Sequence, residues 1–205
     1  MARITDVGLP LAAHWYWIPS AGQGAEGWAA EMATRLLPEE VRNPTAIEAL
    51  TERLQSVYDS VADTGFPGVR TAVYVVPPWH GLVLGMMCLR VSETASLDAY
   101  SAELADWTAG DERTVFKSAE PIETTIPAGQ VLGVHAMLVH PQVDEFGNRT
   151  EVLEERVVLG VAAPGADQIV EVIGIAASLG SFKDMTQSYL DLLRPMVIEN
   201  GESHG

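Results

Sequence analysis

The chain has 205 residues, 47% of them hydrophobic, and this composition predicts a single folded domain over residues 1–205 rather than a disordered chain. Its formal net charge is −16, from 28 acidic and 12 basic residues, and a chain this acidic repels phosphate groups. Neither nucleic acid nor an anionic membrane is therefore expected as a partner. No apolar run reaches the roughly 18 residues that span a membrane, and residues 1–17 lack the apolar core of an export signal, so we expect a cytoplasmic protein.

The first predicted element is a strand over residues 11–18, which is rich in aromatic side chains. Side chains alternate along a strand, so Trp15 and Trp17 share one face. Two tryptophans on one face can line a ligand site, although packing beneath a helix is the commoner arrangement. The sequence leaves both interpretations open at this strand.

Two helices are predicted next. Apolar side chains recur at helical spacing over residues 28–37 and predict the first helix. The second begins at Pro44, where a missing N–H costs nothing, with Asn43 as its N-cap, and it ends before Gly65.

Two strands over residues 69–76 and 82–91 are joined by a short segment that contains two prolines, Trp79 and His80. Consecutive prolines cannot donate ladder hydrogen bonds, so this segment is expected to be a loop. Loop tips often carry binding residues, and Trp79 and His80 therefore join Trp15 and Trp17 as the candidate lining of an aromatic ligand pocket. A loop aromatic that folds back on its own domain is the alternative.

The C-terminal half is bracketed by two further helices. Ser96 is the predicted cap of the third helix, and a strand over residues 114–126 leads from it through a turn at residues 127–129. Ser181 is the predicted cap of the last helix, and the polar tail, residues 199–205, is expected to be frayed.

Between these helices the sequence predicts a three-strand antiparallel meander. Its strands are three apolar runs separated by turn signals: residues 131–139, 152–162 and 169–177. The third run is apolar at both alternating positions apart from Glu171, which indicates a strand buried on both sides. We therefore expect helices on both faces of the sheet.

The register of the first hairpin follows from an assumed two-residue loop at residues 147–148. This loop places Leu138 opposite Val157 on a buried face. It also places His140 opposite Glu155 on that face but nearer the turn, as a cross-strand polar pair.

Catalytic motifs fail the test of spacing. The sequence contains no HExxH, CxxC or GxSxG, and His135 and His140 fall on opposite faces of a regular strand. Cys88 lies in an apolar run and is expected to be a buried, reduced thiol. We therefore predict no metal, no cofactor and no catalytic residue. One enzymatic possibility remains, a carboxylate cluster beside His140 near one end of the meander, formed by Asp144, Glu151, Glu154, Glu155 and Glu171.

The order of elements resembles the Mog/PsbP-like α/β/α sandwich. The resemblance covers residues 69–198 and depends on the Pro-Ala-Gly turn into a long hairpin and on a final strand that enters Gly-Ser-Phe-Lys-Asp-Met before the closing helix. It implies an α+β fold, an α/β/α sandwich with a central, mostly antiparallel sheet that ends in a three-strand meander and a C-terminal helix. It also implies a binding or accessory role, and it carries over no functional residue.

Three functions are consistent with these patterns. The first is a non-enzymatic cytoplasmic adaptor or accessory factor that binds another protein with a basic surface. The second is a small-ligand-binding protein, or an unrecognised hydrolase, with the aromatic pocket described above. The third is a structural homodimer formed through an exposed sheet edge.

Overall fold

The structure, a computed structural model, describes residues 2–20, 27–62, 68–76, 82–111, 113–143, 147 and 149–201. Its strands are β1 Arg3–Gly8, β2 Trp15–Ile18, β3 Arg70–Val76, β4 Leu82–Ser92, β5 Val115–Ile126, β6 Gly129–Val143, β7 Arg149–Ala162, β8 Ile169–Ala176 and β9 Val197–Gly201. Its helices are α1 Trp28–Leu36, α2 Pro44–Ala62, α3 Leu97–Ala109 and α4 Met185–Leu193, with a short 3₁₀ turn Glu39–Val41 between the first two. None of the helices in these ranges is both long enough and apolar enough to cross a membrane.

Seven of the described strands form one sheet in the order β2-β3-β4-β8-β7-β6-β5, and all neighbouring pairs are antiparallel. The predicted meander is confirmed, because β6, β7 and β8 are consecutive neighbours. β1 and β9 form a separate antiparallel pair. The predicted frayed tail is therefore wrong at its start, since Glu199 lies in β9 and is paired with Asp6 of β1.

Helices α3 and α4 pack against opposite faces of the sheet, which we call the α3 face and the α4 face. On the α4 face, a Cβ atom built on Gly174 would lie 2.3 Å from Cζ of Tyr189. On the α3 face, a Cβ atom built on Gly160 would lie 2.3 Å from Cε1 of Tyr100. The two glycines let two tyrosine rings lie directly on the strands, and β8 is buried on both sides at its first four residues, as predicted.

Helices α1 and α2 cover the other end of the α3 face. Leu50 and Leu54 of α2 pack with Met32 of α1 against Val73 and Val75 of β3. The cluster is apolar and almost fully buried, so burial of the amphipathic stripes holds this helix pair on the sheet.

The caps of two helices are those that the sequence predicts. Asn43 Oδ1 accepts a hydrogen bond from the Ala46 N–H at 2.9 Å at the start of α2. Ser96 Oγ accepts one from the Ala99 N–H at 3.2 Å at the start of α3. In both cases a polar side chain satisfies an N–H that the first helical turn leaves without a partner.

The predicted cap of α4 is wrong. Asp184 caps this helix, since its Oδ1 accepts a hydrogen bond from the Gln187 N–H at 2.8 Å. Ser181 lies one turn earlier, and its hydroxyl is hydrogen-bonded to Ser178. Both residues are of types that cap helices well, and the carboxylate also gains from the positive end of the helix dipole.

The predicted register of the β6–β7 hairpin is also wrong. Leu138 is paired with Glu154, three residues from the predicted partner Val157. Five residues, 144–148, separate the two strands, whereas the prediction used a loop at residues 147–148 alone. A shift by an odd number of residues moves every side chain of one strand to the other face relative to its neighbour.

Candidate functional site

Trp15, the first residue of the predicted aromatic pocket, is part of the core. Its side chain is 8% exposed. The ring stacks on Tyr74 with centroids 5.1 Å apart and meets Tyr189 edge to face at 5.5 Å. These contacts bury most of the indole and tie β2 to β3 and α4.

Trp17 shares the α4 face with Trp15, as strand alternation predicts, and it too has protein partners. The guanidinium carbon of Arg70 lies 4.2 Å from the Trp17 ring centroid, and Arg70 Nη1 donates a hydrogen bond to the Val7 carbonyl at 2.8 Å. Trp79 and His80 lie outside the described residues. The four-residue aromatic pocket therefore remains a prediction.

The predicted pair of His140 and Glu155 is not formed. His140 is opposite Val152, and its Nε2 lies 3.3 Å from Oε2 of Glu154. Glu155 is opposite Met137, which places it on the other face of the sheet from His140. The three-residue change in register separates the two residues.

A different histidine contacts Glu155. His135 Nε2 lies 3.0 Å from Glu155 Oε1, a hydrogen-bonding distance. His135 is opposite Val157, so it meets Glu155 as a diagonal neighbour across the β6–β7 ladder. The Glu155 side chain is 11% exposed and that of His135 is 26% exposed, so both side chains are largely buried but still reach solvent.

This pair forms one wall of a cleft of about 440 Å³ on the α4 face. The cleft lies between β5, the β6–β7 ladder and the start of α4. It is lined by Glu120, Pro121, Ile122, His135, Glu155, Lys183, Asp184, Met185 and Thr186. Three carboxylates and one ammonium group thus surround the cleft, and its electrostatic field favours a cationic ligand.

The cleft offers acid–base groups, and the thiol of Cys88 is not among them. A histidine held by a buried carboxylate has the arrangement that general acid–base catalysis uses. Cys88, however, is opposite Ile173 and so lies on the α3 face, on the other side of the sheet from His135. No group of three or more His, Cys, Asp or Glu side chains in the described residues is placed to hold a metal ion.

An apolar row adjoins the cleft. Val115, Val139 and Leu153 are in register across β5, β6 and β7 on the α4 face. Val139 is buried, whereas Val115 is 42% and Leu153 is 48% exposed. We call this row, together with His135 and Glu155, the outer end of the α4 face.

A second polar cluster lies beneath α3. The Tyr100 hydroxyl donates a hydrogen bond to Glu171 Oε1 at 3.3 Å, and Arg90 pairs with Glu171 Oε2. Burial raises the pKa of Tyr100 above its ordinary value, and the negative charge of Glu171 raises it further. The adjoining cavity, about 240 Å³, also contacts Trp107 and Arg156. The carboxylate already binds two protein groups, so this cluster serves to anchor α3 on the sheet.

The sequence was also compared with protein families and with curated proteins. No family model matches the sequence, and no curated protein matches it.

Proposed function

We propose that this protein is a non-enzymatic adaptor or accessory factor that binds a basic partner protein through the outer end of the α4 face. The observation that supports the proposal is the exposed row of Val115 and Leu153 beside the carboxylate of Glu155. Apolar contact supplies affinity at such a surface, and the carboxylates select for a basic partner.

The apolar row differs from scattered surface residues. Single exposed apolar side chains are normal in folded proteins. Val115 and Leu153 are in register on either side of Val139, which is itself buried, and we call these two exposed side chains the apolar strip. Neighbouring exposed apolar side chains with a polar rim are typical of protein-binding surfaces.

Charge also favours a basic partner. The chain carries a formal net charge of −16, and Glu120, Glu155 and Asp184 line the cleft next to the apolar strip. Long-range attraction speeds the encounter with a positively charged protein and weakens as salt increases.

A homodimer through the edge strand β5 is less compatible with these charges. Among the described strands, β5 is the last of its sheet, and it is exposed along most of its length. Antiparallel pairing of two copies about Glu120, near the middle of the strand, would place the Glu120 side chains of the two copies opposite each other, and like charges in that position are destabilising. Pro121 also removes one backbone donor from the edge.

The wider predictions from the sequence fit this proposal. Packing of α3 and α4 on opposite faces is what an α/β/α sandwich requires, and an accessory role is what the Mog/PsbP-like resemblance implies. The family, the cytoplasmic location and the alternative small-ligand pocket all remain predictions.

Capture experiments with surface variants test the proposal. The protein would be immobilised and exposed to native lysate at low and high salt, and a specific partner should be retained at low salt. Replacing both Val115 and Leu153 by Thr should abolish retention. Val197→Thr is the matched control, because Val197 is 57% exposed on β9, away from the outer end, and this variant should retain the partner. An unchanged set of captured proteins for the double variant would contradict the proposal.

A further inference from the structure

We infer that the cleft beside His135 and Glu155 is a pocket for one basic side chain, Lys or Arg, of the partner; this inference rests on the proposed function. The pocket has the size, charge and position for that role. A cleft of about 440 Å³ is larger than a single arginine side chain requires, so the group can enter with part of its hydration.

The lining of the cleft suits a long cationic side chain. Ile122 and Met185 provide apolar contacts for the methylene groups, and both are buried at the floor of the cleft. Glu120 is opposite His135 in the β5–β6 register, so carboxylates stand on two sides of the entrance. Carboxylates in this position bind guanidinium and ammonium groups through charge-assisted hydrogen bonds.

Lys183 limits the charge that the pocket can accept. Three carboxylates and one ammonium group line the cleft, so it favours a cation and opposes an anion such as a phosphate group. Asp184 Oδ1 is already bound to the Gln187 N–H as the cap of α4. Glu155 Oε1 likewise lies within hydrogen-bonding distance of His135 Nε2, so the exposed Glu120 is the main carboxylate that we assign to the incoming side chain, and Glu155 adds its negative charge beside it.

The strand geometry also sets the spacing that the partner must match. Glu155 and Leu153 lie two residues apart on the same face of β7, a separation of about 7 Å along the strand. An extended partner segment satisfies both contacts with an apolar residue and a basic residue two positions apart. The inferred recognition element is thus an apolar residue, any residue, and then Lys or Arg, in either chain direction.

Labelled synthetic peptides provide the test. The full chain would be titrated, by fluorescence anisotropy at low salt, with a nine-residue peptide that contains Leu-Ser-Arg. The reference peptide has citrulline, an uncharged isostere, in place of arginine. We expect the arginine peptide to bind the protein at least 10-fold more tightly than the citrulline peptide.

Charge variants of Glu120, on the edge strand β5, and of Glu155, on β7, locate the pocket. Glu120→Gln and Glu155→Gln should each weaken binding of the arginine peptide roughly 3-fold to 10-fold. Glu123→Gln is the matched control, because Glu123 is on the same strand but on the α3 face, and it should leave the affinity unchanged within about 2-fold. Equal weakening by Glu120→Gln and Glu123→Gln would overturn the pocket and indicate general charge attraction.

The two proposals fail in different ways. If the arginine and citrulline peptides bind equally, or neither binds, while lysate capture still depends on Val115 and Leu153, the pocket is wrong and the proposed function survives. If lysate capture is also indifferent to the double variant, both are wrong.

Discussion

The β6–β7 ribbon has a middle and an outer end that are built from the same residue types but have opposite environments. In the middle, Val157 and Leu159 are fully buried, and rings from α3 and α4 lie on the two faces. At the end of the ribbon nearest its turn, Leu153 on the α4 face and Val152 on the α3 face are nearly half exposed. Apolar character in a strand therefore predicts the strand, whereas the length of the covering helices decides which part of it becomes core.

The lengths of the elements explain the difference. Helix α4 has nine residues and is about 13 Å long, whereas β7 has 14 residues and is about 46 Å long. Even if it were aligned with the strand, α4 could cover only part of the ribbon. The part that α4 leaves uncovered carries Leu153 and, on the neighbouring edge strand, Val115, and these two exposed side chains are available for a partner.

Among these variants, Tyr189→Ala, which removes a ring over the middle of the ribbon, should cause the largest loss of stability. The Tyr189 ring is fully buried, contacts Trp15 and Phe182, and donates a hydrogen bond from its hydroxyl to the Met86 carbonyl at 2.8 Å. Its removal leaves a cavity above Gly174 and should lower the free energy of unfolding by about 3–5 kcal/mol. Urea denaturation followed by circular dichroism measures this change.

Leu153→Ala is the matched truncation at the outer end. Leu153 is exposed, so its loss should change the free energy of unfolding by no more than about 0.5 kcal/mol. Comparable destabilisation by the two variants would show that the outer end is part of the core, and the proposed binding surface would then be lost with it.

Burial on both faces of β7 explains why the sequence predicts the strands of this hairpin but not their register. Alternation fixes register when only one face of a strand is apolar. Val157, Val158 and Leu159 are all buried, so apolar side chains lie on both faces of this part of β7 and alternation does not select one register. The sequence signal that could have corrected the register is that Asp144 and Asn148 are both turn-forming types, because a strand break over residues 144–148 rather than 147–148 places Val143 opposite Arg149, as observed.

The error in register also explains why the sequence does not predict the cleft beside His135 and Glu155. The predicted register pairs Glu155 with His140, and the sequence pattern offers His135 only as a metal ligand. Glu155 and His135 meet diagonally across the correct ladder. The cleft also requires Lys183 and Asp184, which reach the sheet only through packing of α4, and a pattern along one strand carries no information about that contact.

A smaller difference in stability is expected between variants of two largely buried carboxylates, Glu171 and Glu154. Glu171 lies beneath α3, where Arg90 and the Tyr100 hydroxyl bind it, and its side chain is 10% exposed. Glu171→Gln keeps the shape but removes the charge, and it should cost about 1–3 kcal/mol of unfolding free energy. Glu154 lies nearer the outer end and binds Arg156 at 2.5 Å.

Glu154→Gln therefore serves as the comparison for Glu171→Gln. The Glu154 side chain is 20% exposed, so solvent compensates for part of the lost ion pair, and the cost should stay below about 1 kcal/mol. Thermal and urea denaturation of the two variants in the same buffer measures the difference. A larger loss from Glu154→Gln would mean that the cluster beneath α3 does not anchor that helix.

The smallest expected effect concerns thiol ionisation. Burial raises the pKa of the Cys88 thiol, and this outweighs the lowering by the Thr71 hydroxyl and by the charges of Arg156 and Arg90. The folded state thus favours the neutral thiol. The contribution of Cys88 to stability is present below the pKa of the unfolded thiol and is lost as the pH rises through the higher folded-state value.

Moving the single thiol from position 88 to the exposed position 153 tests whether burial raises the thiol pKa. In a Cys88→Ala background, Leu153→Cys puts one thiol on the exposed strip, where solvent stabilises its thiolate. Alkylation by iodoacetamide, followed by mass spectrometry from about pH 7 to about pH 10, should be slower for the wild-type protein and should accelerate at a higher pH than for the double variant. Identical pH profiles would mean that solvent stabilises the thiolate at position 153 no better than that of the partly buried Cys88, which contradicts the exposure of position 153 from which the binding surface was inferred.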